Sequence, residues 1–72
     1  MKRVAVRSSN VAEVGYDPNT RTLEVAFIRG GVYHHLNVPS SVHQALLVAP
    51  SVGKYLDVNV KKAGYAARKI AD

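Results

Sequence analysis

In the first half of the chain apolar and polar residues alternate, and after Ser41 apolar residues fall three and four positions apart. A repeat of two is the mark of a half-buried strand, because successive side chains point to opposite faces, whereas spacings of three and four trace one side of a helix. Arg3 to Arg7 puts Val4 and Val6 on one side and Arg3, Ala5 and Arg7 on the other, predicting a first strand near a sheet edge. Ser8-Ser9-Asn10 interrupts it, and residues 11 to 16 resume with Val14 and Tyr16 opposed to Glu13 and Gly15. Asp17-Pro18-Asn19-Thr20 then has the chemistry of a type I turn, with Asp accepting backbone hydrogen bonds and Pro presetting φ. A third strand is predicted over Arg21 to Ile28, where Leu23, Val25 and Phe27 alternate with Glu24 and Ala26, and a fourth over Val32 to Asn37.

Arg29-Gly30-Gly31 joins the last two strands, since adjacent glycines reach positive φ without steric penalty. A three-residue loop there places Phe27 opposite Tyr33 and Val25 opposite His35, all on the core side. A two-residue loop would instead pair Phe27 with the face of Val32, His34 and Leu36. The three-residue loop is preferred, which makes Tyr33 a half-buried structural tyrosine before it is an open stacking platform.

Beyond Pro39 the regime changes. Ser40 or Ser41 is placed to cap a helix in which Val42, Ala45, Leu46 and Ala49 share one face, and Pro50 ends it. Ser51 is placed to cap a shorter helix carrying Val52, Tyr55 and Leu56, weakened by Gly53 and by β-branched neighbours. Residues 60 to 70 read as a basic tail from which Tyr65 and Ile70 dock onto the body. The expectation is therefore an α+β fold, an antiparallel β-meander of three to four strands followed by two short helices packed on one sheet face. Its core would hold Val14, Leu23, Val25, Phe27, Val42, Leu46 and Leu56, and residues 1–72 are expected to form a single domain.

Size and charge narrow what such a fold can do. A chain of 72 residues buries only about 60% of its unfolded surface, which leaves little room for a deep active site. No apolar run approaches the length of a membrane span. There is no cysteine, and the N-terminus lacks the apolar run of a secretory signal, so a cytoplasmic location is expected. Ten Lys and Arg against five Asp and Glu leave a net charge of +5, a balance that favours polyanions such as nucleic acid, although the same charge also serves solubility alone.

The candidate chemistry is that of binding. Tyr33 and His35 lie two apart on one strand face, where a phenol beside an imidazole can stack on unpaired bases or pack under the helices. Lys54, Lys61, Lys62, Arg68 and Lys69 are opposed locally only by Asp57 and are candidates for a phosphate-facing patch, or for a merely solvated surface. His34 and His35 point to opposite faces and cannot share a metal ion, and His43 sits on another element, so no metal site is expected. The serines fall beside predicted turns, not in a Gly-x-Ser-x-Gly elbow, and suit caps better than nucleophiles. Gly30-Gly31 lacks the Lys-Ser or Lys-Thr of a phosphate loop. Neither an enzyme nor a cofactor is expected.

Several stations follow in order along the chain: Val6 with Ser8-Ser9, Val14-Gly15-Tyr16-Asp17, Leu23-x-Val25-x-Phe27, Gly31-Val32-Tyr33, Val38-Pro39, Ala49 to Ser51 with Gly53-x-Tyr55-Leu56, and Tyr65 with Arg68 and Ile70. Together they resemble the KTSC domain, a small module found alone in bacterial proteins and at the carboxy end of some lysyl-tRNA synthetases. The family's Tyr-x-Tyr pair becomes Tyr33-His34-His35 here, with histidine at the second aromatic station. The resemblance implies strands followed by helices and an RNA-binding role. Taken together, the expected function is a small non-catalytic module that binds RNA. The alternative is a protein-interaction or self-association module using the strand edge at Val4 to Val6 or the outer face of the first helix at Leu47 and Val48.

Overall fold

The alternation before Pro39 is realised as strands β1 (Arg3–Ala5), β2 (Val11–Asp17), β3 (Thr22–Phe27) and β4 (Val32–His35) in a computed structural model that describes residues 1–72. A fifth strand, β5 (Ala67–Ala71), returns after the helices to pair antiparallel with β4, so the sheet order is β1-β2-β3-β4-β5. The expected three to four strands are thus five. Every residue of β5 is exposed, and with Ile70 its only β-branched residue the segment lacks the alternation that signals a strand locally. It is the open ladder of β4 that makes this segment a strand. Within the former tail Tyr65 packs against the core, as expected, but Ile70 stays 46% exposed.

The Asp17 turn forms as its chemistry dictates, with Asp17 Oδ1 accepting from the Asn19 amide at 2.9 Å. This sets Tyr16 against Leu23 and Val14 against Val25, and one extra residue near Ala12 bulges β2 before Val11 meets Phe27. The β3–β4 loop has three residues, as preferred, but one position earlier than expected. Phe27 accepts from the Gly30 amide and donates to the Gly31 carbonyl, both at 3.0 Å, and Gly30 and Gly31 take φ of 103° and 93°. The loop is therefore Ile28-Arg29-Gly30, a turn closed by a glycine bulge. Tyr33 consequently faces Val25, and His35 faces Leu23. A slip of two residues changes partners without changing faces, so Tyr33 and His35 remain on the side of Leu23, Val25 and Phe27.

Helix α1 (Ser40–Val48) starts earlier than the sequence suggested. Pro39 occupies the cap position and its carbonyl accepts from the Val42 amide at 3.0 Å, so neither Ser40 nor Ser41 caps the helix. Ala49 is extended, as the residue before Pro50 must be to avoid the proline ring. Ser51 does cap α2 (Val52–Leu56), accepting from the Lys54 amide at 3.3 Å, and the helix runs on through a π-helical turn at Asp57–Lys61.

The helices and the sheet close on a core of Val11, Val14, Leu23 and Val25 from the strands and Val38, Leu46, Val52, Leu56 and Val60 from the chain after β4. Phe27 and Val42, expected in it, are only half-buried. Phe27 ends β3 where the chain turns away into the hairpin loop, so one side of its ring is left uncovered. The Tyr16 hydroxyl donates to the Val38 carbonyl, and its ring stacks on His43 with centroids 4.7 Å apart, joining the sheet to α1. No helix is long and apolar enough to cross a membrane.

Candidate nucleic-acid interface

Where the β3–β4 hairpin, the π-helical turn and β5 come together they leave a cleft of about 540 Å³, lined by Phe27, Tyr33, His35, Lys61 and Ala67, with Asn10 and Gly30 at its rim. Each wall has a local cause. Phe27 and Tyr33 follow one another around the hairpin on the same sheet face, and their rings meet edge to face at 5.7 Å and 82°. Lys61 ends the π-helical turn, and its ammonium stands 5.2 Å from the Phe27 centroid, held there by the ring's negative face. Lys69 pairs with Tyr33 across the β4–β5 ladder and so projects from the same face, with Nζ 3.0 Å from the exposed carboxylate of Asp72.

His35 is the buried polar residue of the cleft. It is 3% exposed, and neither ring nitrogen has a hydrogen-bond partner within the protein. Burial, and then the charges of Lys61 and His34, hold its pKa below the ordinary 6.5, so near neutral pH the ring is uncharged and offers one donor and one acceptor.

The sequence-nominated residues divide. Tyr33, His35 and Lys61 line the cleft and Lys69 flanks it. Lys62 turns to Asp57 at 3.3 Å, and Lys54 borders a separate depression beside Pro50 and Tyr55. Arg68 pairs with His34 in register and belongs to the opposite, uncovered face of the sheet. The five basic residues therefore do not form one patch. On that open face Glu24 lies 2.7 Å from His34 Nε2 and 3.3 Å from Arg3 Nε, the arginine reaching across the gap left by Gly15. Arg3 is thus already neutralised where it sits.

Asn10 and Phe27 were not nominated by sequence. Asn10 is set by Ser8, whose hydroxyl donates to its Oδ1 at 2.9 Å and accepts from the Val11 amide at 3.2 Å. A Ser-x-Asn turn signals such a loop but not what it will face. Phe27 alternates with core residues in sequence, and only the hairpin geometry shows that it borders an opening. No three of the His, Asp and Glu side chains converge as a metal site would require.

Comparison with known proteins gives one consistent answer. The model of the KTSC domain family matches residues 7–65, a span that holds Tyr33, His35 and Lys61 and stops short of β5. An uncharacterized protein of Stutzerimonas stutzeri is 45% identical over 65 residues, covering 90% of this chain and 92% of that protein. A lysine–tRNA ligase of a Nostoc species is 39% identical over 46 residues, which span 64% of this chain and only 8% of the ligase. The crystal structure of a KTSC domain protein from Yersinia pestis superposes with a TM-score of 0.88 at 40% identity, over 96% of both chains.

Proposed function

This chain belongs to the KTSC domain family, and from that premise we propose that it is a small non-catalytic module that binds RNA, with Lys61 and Lys69 taking the phosphates beside the cleft. The observation that carries this reading is the gathering of Tyr33, His35 and Lys61 around one opening, with Lys69 on its flank. A stackable ring, a hydrogen-bonding ring and the Lys61 cation within one face, with Lys69 able to exchange the fully exposed Asp72 carboxylate for a phosphate, are the components of single-strand recognition. The net charge of +5 favours encounter with a polyanion. Similarity to a segment of a lysine–tRNA ligase supports RNA as that polyanion.

Fluorescence titration against single-stranded and hairpin RNA at several salt concentrations tests this directly. Lys61→Ala and Lys69→Ala should each lower the magnitude of the salt slope by about 0.7–0.9, whereas Lys54→Ala should leave it unchanged. Absence of binding at low salt, or binding indifferent to Lys61 and Lys69, would overturn it.

The second reading, docking or self-association, is favoured by the apolar residues left outside the core, Val48 at 81% and Val4 at 56% exposed, with β1 and β5 as edge strands. Mass measurement in solution, with and without Val48→Asp, decides it.

A further inference from the structure

We propose that the cleft is the subsite for one unpaired nucleobase, whose hydrogen-bonding edge meets His35 while the adjoining phosphate lies by Lys61. This rests on the RNA reading and names what part of the RNA enters.

Two independent observations point to it. The opening, about 540 Å³, lies in the range of sites that enclose a small ligand. His35 is a cleft-lining residue with 3% of its surface exposed and two ring nitrogens that are closed to solvent and that no protein group satisfies, so an occupant reaches them as the ring turns toward the opening. A buried polar group without a partner is costly, so an occupant that supplies hydrogen bonds gains from the site's own deficit.

The chemistry of the walls selects that occupant. Burial and Lys61 favour the neutral form of His35, which brings no charge of its own to an anion and leaves one ring nitrogen as an acceptor that a phosphate or carboxylate has no proton to meet. A neutral ring, with a donor on one nitrogen and an acceptor on the other, matches an uncharged group carrying both. A nucleobase edge is such a group. It is also flat, and Tyr33, set edge to face against Phe27 at 82°, offers a ring on which it can stack while Phe27 seats Lys61. Lys61 supplies the cation for the attached phosphate. The base must be unpaired, because in a duplex its edge is already bonded and its faces are already stacked.

The test uses the full chain, isotopically labelled, with its histidine and tyrosine ring resonances followed by NMR during titration with each nucleoside 5′-monophosphate, each parent nucleoside, and inorganic phosphate. The expected result is a saturable shift of the His35 and Tyr33 rings with the nucleotides, a weaker one with the nucleosides, and none with phosphate alone. His35→Phe, which keeps the ring and removes both nitrogens, should weaken single-stranded RNA binding about tenfold or more with an unchanged salt slope. His35→Gln, which restores a donor and an acceptor, should recover much of that loss if His35→Phe folds poorly. A His35 ring that does not respond, or fully paired RNA binding as tightly as single strands, would overturn the base subsite while the lysine salt slopes still upheld the RNA reading. No RNA binding at low salt would end both.

Discussion

His34 and His35 are neighbours in sequence on opposite faces of β4. His34 lies 2.7 Å from Glu24 on the open face, while His35 is buried at the cleft without a partner for either nitrogen. One imidazole is therefore committed to the cross-strand row of Arg3, Glu24 and His34, and the other is left with two buried ring nitrogens that no protein group satisfies.

Stability should decline as the solution is acidified. The pKa of His35 is lowered by burial and then by Lys61 and His34, and that of His43 by burial. Each folded-state value lies below its unfolded value near 6.5. The folded protein thus binds fewer protons than the unfolded chain, and the stabilisation is complete above about pH 6.5 and is lost as pH falls through the folded-state values. Urea midpoints should fall between about pH 7.5 and about pH 5, and less so in His35→Phe. A midpoint constant over that interval would contradict the assignment.

Gly53→Ala should leave stability within about 1 kcal/mol of the parent, because a propensity gain and a lost surface hydrogen bond offset each other. A methyl group at this position of α2 would meet Asn10 Oδ1, the end of an exposed side chain that turns aside by giving up its hydrogen bond from the Ser8 hydroxyl. The propensity gain is about 1 kcal/mol, against about 0.5–1.5 kcal/mol for the hydrogen bond given up. Thermal melts of Gly53→Ala provide the check, and a fall in midpoint of more than about 8 °C would show that Asn10 does not give way.

Leu23 and Phe27 occupy the same strand face yet should respond differently to truncation. Leu23 is fully enclosed and belongs to the core cluster, so Leu23→Ala should cost about 2–5 kcal/mol, a large share of what so small a domain has. Phe27 is half-buried and seats the Lys61 ammonium. Its replacement by Ala should cost less stability and more RNA affinity. Chemical denaturation and RNA titration of the two variants separate these effects, and equal losses of stability would contradict the burial difference.

Removing residues 67–72 should leave a folded protein, because no member of the core cluster lies beyond Val60. It strips the partner from the outer edge of β4 and takes Lys69 with it. The shortened chain should melt cooperatively, associate more readily through the bared edge, and bind RNA with a smaller salt slope. Sedimentation and the same titrations measure this, and a chain that fails to fold would show that β5 does more than cover an edge.

What the sequence determined by itself is what neighbouring residues decide among themselves. The alternation through Leu23, Val25 and Phe27, the Asp17-Pro18 turn, the break at Pro50 and the Ser51 cap all depend on residues within a few positions, and each is where the residues place it. The face of Tyr33 and His35 was legible too, since it depends on parity and survived the two-residue change of register. Ser40 and Ser41 do not cap the helix because it begins at Ser40 itself, with Pro39 extended at the cap position and its carbonyl taking the Val42 amide, and the serine pair alone does not mark which of several positions starts the turn. Only the tertiary structure decided that Ala67–Ala71 is a strand, because its conformation is templated by the edge of β4 more than thirty residues earlier. It also decided which lysines share a face with Tyr33, and brought Asn10 to the cleft. Those relations depend on how far each element lies from the others after the core closes, and no local period or turn encodes that distance.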